Sequence, residues 1–454
     1  MPERLRAFHQ RYRSDMRTKT RDTSEYGFHY LSGLLRMECE RTMANIGRIG
    51  QVSEQNMQQF ISDSPWSGER MIQHVQYEIG QRPEYQSGNV LLIDESADAK
   101  AGEMSAGAGR QYNGRLGKVD LCQVGVFLGV TNNGYATWLD GELFVPEAWF
   151  SEATSGKRQR IGLPADRQFE TKLQLALKMV ERLKEQGTIP FEALACDSLY
   201  GRKGWFRDQL QVLEVEYYAD IPENTTLYLE RPCVYFPVTK AGQPSKKPEI
   251  LGIAYSAKAL KEHSGTEWQT FTLRPSERSM LTADFARRRI WTADADGTIR
   301  QEWLLIRQDA GDTTYSLSNA AADTPFFTMA ERKSQRFFIE RANQDAKSEL
   351  GWDEFQAIKY RAWQHHLAFT ILASWFVTET RLDWAQQHPP NPQLFTHYDI
   401  DVLPTLSVAN VRTLLRAAMP LPQLSPAQAI ELVEKHLDNR TRSRKSRLKT
   451  KSRY

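Results

Sequence analysis

The apolar pattern changes period several times along the chain, and each change predicts an element. Val90-Leu91-Leu92-Ile93 is an unbroken apolar run cut off by Asp94-Glu95-Ser96, as expected of a central strand buried on both faces that delivers an acid to its end. Cys122–Thr131 and residues 134–146 read as two further strands joined by an Asn132-Asn133-Gly134 turn, a meander of strands that starts at Asp94. Residues 166–187 place Leu173, Ala176, Met179, Val180 and Leu183 on one face and stop at Gly187, which predicts an amphipathic helix. Phe191–Asp197 (FEALACD) is then a second short, mostly apolar run ending in an acid. A strand, a crossover helix and a strand parallel to the first return the chain to a neighbouring position in one sheet, so Asp197 is predicted beside Asp94. A helix over 201–212 and a strand over 216–221 follow.

Outside this stretch the rhythm differs. Residues 1–85 are helical in pattern, with an Arg-rich opening (Arg4, Arg6, Arg11, Arg13, Arg17, Arg21), a cap at Ser53 and a break at Ser64-Pro65. A helix-turn-helix and a plain helical bundle both fit that pattern. Residues 224–317 carry short β-rich pieces, with Asp296-Gly297 as a hairpin turn, and read as an insertion. From Thr328 to Leu350 the pattern is one helix stopped by Gly351, and a long core helix runs from Arg361 to Gln387. His365 and His366 within it read as satisfied core residues, since no metal-ligand spacing accompanies them. His388-Pro389-Pro390-Asn391-Pro392 is a linker before two short helices, the second opened by a Ser425-Pro426-Ala427-Gln428 capping box. These shifts divide the chain into 1–85, 86–223, 224–317, 318–387, 388–439 and 440–454.

At 454 residues the chain exceeds one ordinary core. Its formal charge of +3 hides an asymmetry: Arg440–Tyr454 holds eight Lys or Arg and no acid, leaving a net −5 on the remainder. A basic tail on an acidic body suggests a polyanion partner, although a solvated tail has the same composition. Four widely spaced cysteines without a C-x-x-C pair argue against a zinc ribbon and a disulfide framework. The opening MPERLRAFHQRYRSD lacks the apolar core of a secretory signal, and the longest apolar run, 368–377, is shorter than the roughly 20 residues a bilayer span needs. A soluble, cytoplasmic protein is expected.

The candidate chemistry lies in three acids. Glu340 sits inside the helical pattern with Arg336 four residues before it and Lys347 seven after, offsets that put all three on one face. Asp94, Asp197 or Glu340 alone reads as a strand end or a solvated group; three acids on three buried elements can converge on metal ions. The Gly-rich segment 98–120, with Lys100, Arg110, Arg115 and Lys118, reads as a hairpin or loop near Asp94 that suits a phosphate backbone or solvent.

Taken together, LLIDESADAK, QYNGRLGKVDLCQVGVFLG, ALACDSLYG, SLSNAAADTP and RFFIERANQDAKSELGWDEFQAIKYRAWQHHLAF resemble, in order and spacing, the bacterial DDE transposases of the insertion-sequence 701 family, within the wider insertion-sequence 4 group. The resemblance runs through most of residues 25–380. It implies an α/β fold: an RNase H-like core, a mixed sheet flanked by helices, with a β-rich insertion between the second Asp and the Glu and a helical N-terminal DNA-binding region. It also implies Asp94, Asp197 and Glu340 as catalytic acids holding two Mg²⁺ ions, for which Mn²⁺ can substitute. In that assignment Asp94 bridges both ions and Asp197 and Glu340 hold one each, while Arg336 and Lys347 contact phosphates flanking the scissile bond. Glu95 is set aside by strand parity, Asp98 by its loop position, Glu331 by distance along the helix and Glu349 by mismatch with the motif. The group's Y-x2-R-x3-E-x6-K signature is matched at Arg336, Glu340 and Lys347, whereas the Tyr position holds Lys333 and the aromatic after the Arg is Phe337 rather than Trp. The expected activity is Mg-dependent cleavage and strand transfer on double-stranded DNA, at transposon ends and target, by a homodimer formed on DNA at the bacterial nucleoid, with no membrane partner. The alternative is a domesticated, non-catalytic DNA-binding protein of transposase origin. A repair or junction nuclease on the same fold would cut by DNA shape without strand transfer.

Overall fold

The structure is a computed structural model, and it describes residues 1–451 except 115, 239–242, 244, 246, 276–279, 310, 390, 399, 401 and 404. The chain opens with helices α1 Pro2–Arg11, α2 Ser24–Arg36, α3 Met43–Ile49, α4 Glu54–Ser62 and α5 Gly68–Gln81, then strands β1 Val90–Ala99, β2 Gly109–Asn113, β3 Lys118–Asn132 and β4 Tyr135–Phe144. Next come α6 Ser155–Ile161, α7 Lys172–Gln186, β5 Ala193–Cys196, α8 Ser198–Gly201, α9 Gly204–Val212 and β6 Tyr217–Ile221. The inserted segment supplies β7 Thr226–Tyr228, β8 Cys233–Tyr235, β9 Glu249–Leu251, β10 Ala254–Ser256, α10 Ala257–Lys261, β11 Glu267–Pro275, β12 Met280–Ala293, β13 Ile299–Asp309 and β14 Asp312–Ser318. The rest is helical: α11 Phe326–Ser334, α12 Phe337–Ser348, α13 Tyr360–Gln387, α14 Pro392–Tyr398, α15 Val408–Ala418 and α16 Pro426–Lys451.

Among the described residues, twelve strands form one sheet in the order β10-β7-β12-β13-β14-β6-β5-β1-β3-β2, with β4 also on β3 and β11 also on β12. At its centre β1, β5 and β6 run parallel, and β3 and β4 return antiparallel. This is a large mixed sheet flanked by helices, consistent with the expected core. The apolar run Val90–Ile93 is at most 3% exposed, and β5 is fully buried, so the two strands pair deep in the core. β14 pairs with β6, so the inserted strands extend the same sheet. Buried Glu302 on β13 accepts from Arg207 of α9 at 2.8 Å, from Tyr217 of β6 at 2.6 Å and from Thr292 of β12 at 2.6 Å, which fastens the insertion to the core.

Local signals explain where elements start and stop. Asn133 and Gly134, both left-handed at φ 47° and 82°, make the β3–β4 turn as predicted. α7 begins at Lys172, not Asp166, because Thr171 and Gln174 form a reciprocal capping box, and left-handed Gly187 ends it. The single helix predicted over 328–350 is two helices. Between α11 and α12 the backbone tightens into i→i+3 bonds, Phe338 N–H to Gln335 O at 2.9 Å and Ile339 N–H to Arg336 O at 3.2 Å. After the linker the described residues form three helices rather than two, and the last, opened by the Ser425–Gln428 capping box, carries the basic segment in helical form to Lys451.

Strand alternation assigns the two faces of the sheet. Asp94 contacts α12 and the adjacent Glu95 contacts α7, so α12, backed by α13, covers one face and α7 the other. Gly129 on β3 lets α12 approach: a Cβ there would sit 3.1 Å from Ile339 Cδ1 and 3.2 Å from the Thr137 carbonyl. The N-terminal helices pack outside α13. Arg11 pairs with Glu379 at 2.9 Å and Arg4 with Asp383 at 2.7 Å, so part of the Arg-rich opening is spent within the molecule. His365 sits 2.9 Å from the carbonyls of both Ile61 and Trp66, and His366 lies between Tyr30 OH and the Trp352 carbonyl, as core residues. Among the described residues no helix is long and apolar enough to cross a membrane.

Candidate active site

The parallel register of β1 and β5 pairs Ile93 with Cys196, so Asp94, within β1, and Asp197, just past the end of β5, come side by side. Strand carboxyl ends are where open α/β sheets place their ligands. Asp197 also caps α8, its Oδ1 accepting the Leu199 N–H at 2.9 Å. A Cβ on Gly201, at the end of α8, would fall 2.0 Å from the Asp220 carbonyl, so only glycine lets α8 lie this close to β6.

The third acid brought to this pair is Glu95 rather than Glu340. Carboxylate oxygens of Asp94, Glu95 and Asp197 all lie within 4.8 Å of one another, a grouping that Glu340 does not join. Parity does send Glu95 to the α7 face, where Lys172 Nζ and Tyr200 OH each lie 3.3 Å from its carboxylate. Past Ile93, however, β1 has no further pairing with β5, and the longer Glu side chain reaches Asp197 beyond the end of that strand. Parity predicted the direction of the Cβ correctly and the position of the carboxylate incorrectly.

Burial and mutual repulsion raise the acids. Asp94 is pushed up to about 7, first by burial and then by the charges of Glu95 and Asp197, with Arg336 opposing. Asp197 is pushed up to about 6 by burial and then by Glu95, against the pull of the Leu199 N–H and Arg336. Three oxygen donors with no His or Cys among them suit a hard divalent cation of the Mg²⁺ or Mn²⁺ kind. A cation there would relieve the same repulsion that raises the pair.

Glu340 stands at the rim. Its side chain is 52% exposed and takes a 2.6 Å hydrogen bond from Arg336, whose Nε lies 2.7 Å from Asp220. Asp220 also receives Lys333 at 3.2 Å, and Ser316 bonds to both. Lys333, at the signature's Tyr position, is thus a buried cation answered by Asp220, and burial lowers its basicity. Lys347 donates to the Ala97 carbonyl at 3.0 Å. Of the loop cations, Lys100 is turned inward to Asp98 and, at 2.8 Å, to the Phe355 carbonyl. Arg110 on β2 and Lys118 are exposed, and Arg115 lies outside the described residues.

Two polar residues at the site were absent from the sequence reading, and each left a signal. Asp220 follows the buried run 217–219 of β6 as Asp94 and Asp197 follow their own buried runs, so the third parallel strand repeats the gesture. Asn343 lies one helical turn after Glu340 on the face already identified, and its Nδ2 donates to Asp94 at 2.9 Å.

The family described as "DDE superfamily endonuclease" matches residues 11–280, a span that contains Asp94 and Asp197 and ends before Glu340. A curated relative, "Probable transposase for insertion sequence element IS701" of Microchaete diplosiphon, is 29% identical over 195 residues, which cover 40% of this chain and 45% of the relative. The chain therefore aligns with less than half of that relative's length. Since the family match takes in more than half of the sequence, the chain belongs to the DDE superfamily of endonucleases.

Proposed function

We propose that this enzyme is a cut-and-paste DNA transposase that binds the terminal inverted repeats of an insertion sequence, cleaves at its ends and joins them to target DNA. The observation that carries the proposal is the meeting of Asp94 and Glu95 of β1 with Asp197, just past the end of β5, in a DDE-superfamily chain. In this reading Asp94, Asp197 and Glu340 are the catalytic acids, and Asp94 and Asp197 are poised to hold divalent ions. Mg²⁺ or Mn²⁺ bound at such a site activates the attacking oxygen and stabilises the leaving one in an in-line displacement at phosphorus.

The chain's own residues prepare that displacement. Arg336 ties Glu340 to Asp220, and a DNA phosphate arriving beside Asp94 competes with Glu340 for the guanidinium. Release of Arg336 frees the exposed Glu340 to turn towards Asp94, one helical turn from Asn343. Arg336 and Lys347 then flank the scissile phosphate, and Arg110 and Lys118, with Arg115, follow the backbone outwards. Lys100 joins them only by leaving Asp98. The helical segment 1–85 distinguishes the element's ends, and the active unit is a homodimer assembled on double-stranded DNA at the nucleoid.

The test uses full-length protein and a labelled duplex carrying the DNA that flanks its gene. Wild type should cleave with Mg²⁺, whereas Asp94→Ala and Asp197→Ala should bind the duplex and leave it whole. Cleavage retained by Asp94→Ala would overturn the assignment.

A further inference from the structure

We infer that Asn343 is a positioning residue for Asp94, locked in orientation by Trp138, and that this buried Trp–Asn–Asp chain sets the affinity of the site for divalent metal. The inference rests on the reading of Asp94 as a metal-holding acid given above.

The argument begins with a donor that cannot accept. An indole N–H only donates, so the Asn343 atom 3.0 Å from Trp138 Nε1 must be the amide oxygen. That fixes the other end: the amide NH₂ faces Asp94 Oδ2, at 2.9 Å. Asn343 and Trp138 are both buried, and the indole is held by a 4.2 Å stack on Phe127 and an edge contact with Trp352 at 5.5 Å. Phe127 is itself the cross-strand partner of Asp94. The lock and the acid therefore stand on one rigid sheet face, with α12 laid across it.

The other oxygen, Oδ1, accepts the Glu95 backbone N–H at 2.8 Å. Each carboxylate oxygen thus carries one hydrogen bond and keeps capacity for a further partner. A neutral amide orients the acid without cancelling its charge, whereas a lysine in the same place would compete with a cation for it. Partners of this kind behind a metal-holding carboxylate are worth about 10- to 100-fold in metal affinity.

The experiment is Mn²⁺ binding to the full-length, DNA-free protein, followed by electron paramagnetic resonance of free Mn²⁺, alongside thermal melts. Asn343→Leu keeps the volume and removes the donor, and should weaken Mn²⁺ binding about 10-fold or more. Asn343→Ala replaces it if the leucine variant does not fold. Trp138→Phe keeps the ring stack but frees the amide to turn over, and should give an intermediate loss. Asp94→Ala separates the two levels of the argument. If Asp94→Ala weakens Mn²⁺ binding while folded Asn343→Leu stays within about twofold of wild type, the relay is overturned and the metal centre stands. If Asp94→Ala itself binds Mn²⁺ like wild type, the metal reading falls and the relay with it. A lowered melting temperature with unchanged Mn²⁺ affinity would assign Asn343 to packing alone.

Discussion

The raised carboxyl of Asp94 predicts that replacing this acid will stabilise the metal-free protein. A group that titrates at about 7 instead of its ordinary 3.8 is held roughly 4 kcal/mol against ionisation. Asp94 is partly accessible where the neighbouring strand β5 ends, and water there screens the repulsion, so about 2 to 4 kcal/mol is the working range. The sign follows from linkage. Between pH 4 and 7 the folded protein keeps a proton on Asp94 that the unfolded chain has lost, so wild-type stability falls as pH rises through this window and levels off above it. Asp94→Asn has the same shape and no charge, and its amide oxygen can still accept from Asn343. At a specific unfolding entropy of about 2.1 cal/mol/K per residue, a chain of 454 residues shifts its midpoint by about 1 °C per kcal/mol.

Asp94→Asn should therefore melt about 2 to 4 °C above wild type at pH 8 in EDTA, the gap closing as pH falls to about 4. Scanning calorimetry of both proteins at matched scan rate measures it. Mn²⁺ should raise the wild type by up to about 2.7 kcal/mol at a hundredfold excess over its dissociation constant, and leave the variant nearly unmoved. A variant that melts at or below wild type at pH 8, or a gap that persists unchanged at pH 4, would refute the reasoning, because neither follows from relieved repulsion.

Two further outcomes test the supports of the site. Glu302→Ala leaves Arg207 buried without its partner and strips the acceptor from Tyr217 and Thr292, so unfolding free energy should drop by about 3 to 5 kcal/mol, read by urea denaturation. Asp220→Asn removes the countercharge of buried Lys333 and the anchor of Arg336; DNA cleavage should fall and the melting temperature should drop by about 3 °C, whereas Asp220→Asn combined with Lys333→Met should recover the stability without the cleavage.

How much of this was legible in the sequence depends on what kind of information fixed each feature. The placement of Asp94 beside Asp197 was readable because both signals are local: an apolar run that ends in an acid, and a crossover that can return only to a neighbouring position. The register did the rest. The bulge between Leu128 and Gly129 was not readable. It inserts Leu139 into the pairing of β3 with β4 and so turns Trp138 to the α12 face and Asp140 to Arg182 on α7. Without it the period-2 rule puts both on one side, and the indole that faces Asn343 cannot be foreseen. Glu95 was misplaced for a related reason: alternation governs where a side chain leaves the strand, and past the last pairing of β1 with β5 a flexible acid is no longer confined to that side.

The break at 335–336 and the departure at Lys333 have one cause. In an α-helix, residues three apart lie about 300° round the axis, but in the tighter i→i+3 turn they eclipse, so Lys333 and Arg336 line up on the same edge. Both then reach the two oxygens of Asp220, Lys333 to Oδ1 and Arg336 to Oδ2. An aromatic at 333 would need no countercharge and would leave Asp220 free to serve Arg336 alone. A lysine there, buried, must be answered. The acid that answers it is the same one that fixes the guanidinium holding Glu340 at the rim. Removing Lys333 should therefore loosen Arg336 as well, so residue 333 influences the position of Glu340 although it does not touch it.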